Sequence, residues 1–186
     1  MIAGLYDKFK EWSAKGSIYI ISDLHFDDID CKLMDKNWIT PEEHIKILSS
    51  YAHKNDTLII LGDIGNPTYL SKIKSRKILI KGNHDLGSTN YKDYFDEIYE
   101  GPVFIAEKIL LSHEPISGLD FCLNIHGHNH SGRMREDIYH LNVASNVCNY
   151  IPISLGEIIK KGYLSGIQTI HRETINKATE RKRKIV

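Results

Sequence analysis

The sequence predicts an α/β protein: two packed mixed β-sheets flanked by helices, an αββα sandwich. Three observations lead there. Three apolar strand-like runs in the first half are separated by helix-like stretches, the pattern of parallel βαβ units. In the second half the runs become short and crowd together, which calls for a second sheet, mixed or antiparallel. The length, 186 residues, suits one domain with a sizeable core and leaves little room for two.

In chain order, Leu5, Phe9 and Trp12 are spaced i, i+4, i+7, so residues 1–16 are read as an N-terminal amphipathic helix closed by Gly16. That helix packs on the domain; a dimer contact anchored by Trp12 is the alternative. Ser17–Ile21 is the first strand. Thr40 caps a helix that Pro41, Glu42 and Glu43 open and that runs to about Ala52. Thr57–Leu61 is the second strand, Pro67–Lys74 a short helix, and Lys77–Lys81 the third strand. Short strands follow near Val103–Ala106, Ile109–Ser112, Cys122–His126 and Ile138–Asn142, and Ser154–Lys161 is helical again. Residues 1–186 form a single domain with no repeat or linker.

Composition narrows the class. Apolar residues make up 41% and charged residues 26%, the proportions of an ordinary globular protein, which excludes a mainly disordered chain. Lys+Arg and Asp+Glu are both 24, so no whole-surface field for nucleic acid exists. The zero is uneven: the basic tail at 177–186 (Lys177, Arg181, Lys182, Arg183 and Lys184 against Glu180) carries +4, leaving −4 on residues 1–176. Cys31, Cys122 and Cys148 are odd in number and widely spaced, which fits a reducing, cytoplasmic setting better than a disulfide framework. No run of about 18 apolar residues occurs, so no membrane-spanning helix is expected.

Chemistry-bearing residues recur where strands end. Asp23 and His25 follow the first strand, Asp63 the second, and Asn83, His84 and Asp85 the third; His113 follows a later strand, and His126, His128 and His130 another. Ligands of open α/β sheets bind outside the carboxyl ends of the strands. Each motif is weak alone: a lone histidine is more often a bonded structural residue, and Gly-Asp is a common turn. Three alternating imidazoles at 126, 128 and 130 would repel one another if protonated, and a metal holding them neutral is a natural reason for them.

Asp-x-His at 23–25, Gly-Asp at 62–63, Gly-Asn-His-Asp at 82–85, His113 and Gly-His-Asn-His at 127–130, in that order over roughly residues 17–155, resemble the calcineurin-like metallophosphoesterase superfamily. Ser-Asp-Leu-His-Phe and Leu-Gly-Asp-Ile look like its small stand-alone bacterial and phage-type members. The resemblance implies two divalent metal ions, Asp23, His25 and His130 on one, Asn83, His113 and His128 on the other, and Asp63 bridging both. An anionic bridge suits two cations about 3.5–4 Å apart. Imidazole and oxygen donors without thiolate suit Mn²⁺, Fe or Zn²⁺, with Mn²⁺ favoured. The resemblance makes His84 the general acid beside the metals, with Asp85 orienting its ring and stabilising its proton. The glycines at 62, 82 and 127 let the ligand loops turn.

The implied activity is hydrolysis of a phosphate ester, with a diester favoured over a monoester, by a metal-activated hydroxide. Two alternatives stand beside it: a nuclease or RNA-processing enzyme using the basic tail, and a non-catalytic metal-binding scaffold. Nucleic acid is thus admitted as a partner but not favoured, no membrane partner is expected, and monomer and homodimer are both open. The loop Phe26-Asp27-Asp28-Ile29-Asp30 departs from the Gly-His of small family members and places three carboxylates near the mouth. His126 is read equally as a support to the ligands or as part of the turn. Arg133 and Arg135 are read as surface arginines, with a forked contact to a phosphate as the alternative, and Lys81 as a solvated strand-end lysine, with the same alternative.

Overall fold

The computed structural model describes residues 2–85, 87, 89–135, 137–174 and 177. The elements run β1 (Ala3–Gly4), α1 (Tyr6–Ser13), β2 (Ile18–Ile21), α2 (Cys31–Met34), α3 (Pro41–Tyr51), β3 (Thr57–Ile60), β4 (Arg76–Ile80), β5 (Glu97–Tyr99), β6 (Val103–Ala106), β7 (Ile109–Leu111), β8 (Leu123–His126), β9 (His140–Asn142), β10 (Ile153–Ser154) and α4 (Leu155–Lys160). Short 3-10 helices occupy Pro67–Lys72 and Tyr91–Asp93.

Among the described residues, two sheets of five strands form. The first has the order β10-β2-β3-β4-β5, parallel throughout except for β10; the second has β1-β6-β7-β8-β9, with β6–β7 its antiparallel pair. The central strands β2 and β3 read as nearly continuous apolar runs because both faces are covered. Ile59, Leu61, Ile78 and Ile80 join Val103, Ile105, Leu123 and Ile125 in the core between the sheets. The alternate residues Leu58, Ile60 and Leu79 pack with Ile45 and Leu48 of α3 on the outer side, as the period of two along a strand requires.

The helix over 41–52 begins where the sequence places it. The Thr40 side chain accepts the Glu43 N–H and the Glu43 carboxylate returns to the Thr40 N–H, a reciprocal capping box; Ser154 and Glu157 repeat the device at α4. The N-terminal segment differs from the single helix expected. Ala3–Gly4 pairs in parallel with β6 before the helix starts, because Leu5 N–H is drawn to Phe104 O at 2.7 Å. The dimer-anchor alternative for Trp12 is corrected: its side chain is 1% exposed within the inter-sheet core, and its indole N–H donates to Glu97 at 3.0 Å. The alternation-based reading also passed over β5, β10 and α2, which are only two to four residues long. Of the basic tail, Lys177 alone is described, paired with Glu173; the rest of that expectation lies outside the described residues.

This topology positions the site. β2, β3 and β4 lie side by side in register, Ile21 beside Ile60 and Ile60 beside Leu79, so the loops after them leave at one edge. β7 and β8, also parallel, deliver the loops holding His113 and His128. A bridge between Ser22 and Ala144 joins the two sheets at that edge. Trp12→Ala is expected to destabilise the protein by about 3–5 kcal/mol through the cavity it leaves, read as a lower urea midpoint with an unchanged oligomeric state.

Candidate metal centre

The loops bring every predicted ligand to one seam between the sheets. Asp23, His25 and His130 form one group, and Asp63, His113 and His128 a second; within each, one ligand atom per residue lies within 4.8 Å of the others. Asp63 stands between them, its Oδ2 3.7 Å from His25 Nε2 and 3.3 Å from His113 Nε2. Asn83 joins the second group, its Oδ1 2.8 Å from His113 Nε2. His130 Nε2 is 3.5 Å from Asp23 Oδ1.

The donor atoms are aimed by groups behind them. His25 Nδ1–H donates to Asp28 Oδ2 at 2.9 Å, His113 Nδ1–H to the Leu61 carbonyl at 2.7 Å, and His130 Nδ1–H to Asn146 Oδ1 at 3.0 Å. Each bond fixes a proton on Nδ1 and turns Nε2 toward the seam, the arrangement that orients a metal-ligating imidazole. Asp23 Oδ1 and His25 Nε2 are buried without a hydrogen-bond partner among the described residues. Orphaned buried acceptors of this kind are costly unless a cation takes them up. The nitrogen and oxygen donors therefore fit hard or borderline divalent ions.

The backbone is bent to this end. Asp23, His25, Asp63 and His128 all have positive φ, between 42° and 66°, a left-handed conformation that costs non-glycine residues of order 1–3 kcal/mol and gathers at functional sites. At Gly127 the need is space: a Cβ there would overlap Ser22 Oγ and Asp23 Oδ2.

Asp85 departs from its expected role. Its carboxylate, 2% exposed, accepts the backbone N–H groups of Asp63 (2.8 Å), Ile64 (3.0 Å) and Gly82 (2.8 Å) and the Tyr91 hydroxyl (3.1 Å). It staples the 62–64 and 82–85 loops together rather than holding the His84 ring. His84 is exposed; its N–H donates to Asp63 Oδ1 at 3.0 Å, and its ring lies 5.8 Å from that of His25. His126 is buried, donating Nδ1–H to Gly127 O at 2.8 Å and meeting His140 edge-on, so it supports the ligand loop.

The carboxylates after Phe26 do not crowd the seam. Asp27 accepts from Asn66 (2.7 Å) and Tyr69 (3.0 Å), and Asp28 stands behind His25. The supporting residues Asp28 and Asn146 escaped the sequence reading. Asp28, three residues after His25, had a local signal in that spacing; Asn146 had none. Lys81 pairs with Glu100 at 2.8 Å, and Arg135 lies over the Tyr163 ring with bonds to the Ile138 and Tyr163 carbonyls. Arg133 lines a separate recess with His126 and His140.

With this geometry established, comparison with known proteins places the chain. The family model for calcineurin-like phosphoesterases matches residues 16–175. The chain belongs to that family. An uncharacterized protein of Methanocaldococcus jannaschii is 30% identical over 171 residues, covering 77% of this chain and 89% of its own. A crystal structure of a protein of unknown function from Aquifex aeolicus superposes with a TM-score of 0.66 at 31% identity, over 78% of this chain and 98% of that one. A Pseudomonas putida nuclease is more distant, with a TM-score of 0.43 at 20% identity over 60% of each chain. This calcineurin-like phosphoesterase is thus a metal-dependent hydrolase by family, with two candidate metal-binding groups. Among its described residues, no helix is long and apolar enough to cross a membrane.

Two measurements check the centre. Burial alone would pull the His113 imidazole down, but Asp63 and Asp23 outweigh it and hold the ring at about 9. Below that pH the metal-free ring is a cation, and its proton must leave before Nε2 can coordinate. Affinity for divalent ions should therefore rise with pH up to about 9, and binding near neutrality should release protons, measured by calorimetry in buffers of different ionisation enthalpy. Asp28→Asn should weaken divalent-ion affinity by about 10–100-fold, with little change in thermal midpoint of the metal-free protein.

Proposed function

We propose that this protein is a phosphodiesterase working with two divalent ions, Mn²⁺ favoured and Fe or Zn²⁺ as alternatives, held by Asp23, His25 and His130 on one side and Asn83, His113 and His128 on the other. The observation that carries the reading is the position of Asp63 Oδ2 between the two imidazole groups, where one carboxylate can serve two cations. When bound, such a pair polarises phosphoryl oxygens and makes water acidic enough to attack phosphorus near neutral pH.

The chain's own residues supply the rest. The staple made by Asp85 fixes the loops that carry Asp63 and His84, so positioning is settled before substrate arrives. His84, exposed beside the seam and tethered to Asp63 through its backbone, donates a proton to the leaving alkoxide. Asn83 contributes an amide oxygen and no charge, leaving the site less repulsive toward an anionic ester. Two recesses flank the seam, one reached past His25 and one bounded by Asn83, His113, Lys81 and Glu100. That room on both sides favours an ester with two substituents over a monoester.

The test joins metal analysis to hydrolysis of paired phosphomono- and diesters with Mn²⁺, Fe²⁺ or Zn²⁺ restored. Two ions per chain and preference for diesters are expected; turnover of monoesters alone would overturn the substrate assignment. His84→Ala should keep both ions and lose about 10²–10⁴-fold in kcat on an alkyl diester, and far less on a p-nitrophenyl one, whose leaving group needs no proton. Wild-type turnover of the alkyl diester by the metal-loaded variant would remove His84 from its role.

A further inference from the structure

One stretch of chain gathers on a single metal group. Residues 28–38, between β2 and α3, make three separate contacts with His25. Asp28 accepts its Nδ1–H at 2.9 Å, Cys31 donates its thiol to the His25 carbonyl at 3.3 Å, and Trp38 meets the imidazole edge-on, ring centres 5.8 Å apart. Trp38 also reaches the other imidazole of that group, His130, at 5.6 Å. The two imidazoles stand 5.3 Å apart, so one indole backs both.

Trp38 is itself held in place. It is buried in a small apolar cluster with Cys31 and Tyr150, flanked by Met34, Ile39 and Ile47. Tyr150 meets the indole edge-on at 5.9 Å, and the Trp38 backbone N–H donates to Asp35 O at 3.0 Å. The second metal group lacks such a wall. Its members Asn83 and His128 are exposed. Among the described residues, the rings of His113 and His128 meet each other, 5.1 Å apart, and no tryptophan, tyrosine or phenylalanine. An imidazole must swing its ring to let go of an ion, and a ring packed against a fixed indole has no room to swing. Apolar surroundings also control how water reaches a metal site.

We infer that Trp38 is a positioning residue for one of the two ions. By backing His25 and His130 it keeps both imidazoles from swinging away and keeps water from replacing them, so the ion on that side is released slowly while the other exchanges freely. The inference rests on the two-ion part of the phosphodiesterase reading and goes beyond it, since it gives a role to a residue outside the ligand set.

The experiment mixes Zn²⁺-loaded protein with an excess of a chromophoric chelator and follows release in time. Wild type is expected to lose one ion in a fast phase and one in a slow phase. Trp38→Ala should speed the slow phase by about tenfold or more and leave the fast phase unchanged, while Trp38→Phe, which restores an aromatic wall, should return most of the slowness. A general loosening of the protein would speed both phases together. That result, an unchanged slow phase in Trp38→Ala, or a single phase in wild type would overturn the assignment. A second measurement leaves Trp38 intact. The chain has two tryptophans, so in Trp12→Phe the emission comes from Trp38 alone, and it should change with the slow phase. A change that follows the fast phase would overturn the inference even where Trp38→Ala fails to fold. Two bound ions with the expected phases but no hydrolysis of any diester would sustain the role of Trp38 and end the phosphodiesterase reading. Diester turnover with release indifferent to Trp38 would end the role of Trp38 alone, and binding of no ion would end both.

Discussion

Three carboxylates, those of Asp23, Asp63 and Asp85, are buried at one seam, each 2% exposed or less. Burying like charges together is expensive unless hydrogen bonds or cations compensate. The structure answers in two ways. Asp85 is satisfied by the protein itself, through three backbone N–H groups and a tyrosine hydroxyl. Asp23 and Asp63 are satisfied only in part: Asp23 Oδ2 accepts the His128 N–H at 2.9 Å while its Oδ1 has no partner. That division separates the carboxylate that shapes the loops from those that turn an oxygen into the seam.

The histidines are organised around the same need. Behind His25 stands a carboxylate, behind His130 an amide oxygen and behind His113 a backbone carbonyl. Each fixes the proton on Nδ1 and presents Nε2, yet the three acceptors differ in charge. The carboxylate makes His25 the strongest electron donor of the three. Burial would pull the His113 ring down, but Asp63 and Asp23 beside it hold it at about 9, so near neutral pH its proton supplies positive charge among the carboxylates.

Geometry at the seam depends on contacts made far apart in sequence. The Leu61 carbonyl accepts both the Ser22 hydroxyl (2.6 Å) and the His113 ring (2.7 Å), tying two loops of the first sheet to one of the second. The left-handed backbone at Asp23, His25, Asp63 and His128 is held by these cross-links, because no local preference of the chain would keep four such residues strained.

Much was legible along the chain. Apolar runs marked β2, β3, β4 and the core strands of the second sheet, since buried strands must be apolar on both faces. The caps at Thr40 and Ser154 and the ligands at 23–25, 63, 83, 113, 128 and 130 were readable because residue type and order carry them. The short strands β1, β5 and β10 were not, for they are created by a neighbour and have too few residues for a period. Tertiary structure alone decided that Trp12 is core, that Asp85 staples loops instead of holding His84, and that Asp28 turns from an obstacle into a support for His25. The reason is the same each time: sequence specifies what a side chain can donate or accept, while its partner is set by which loops the two sheets bring to one edge.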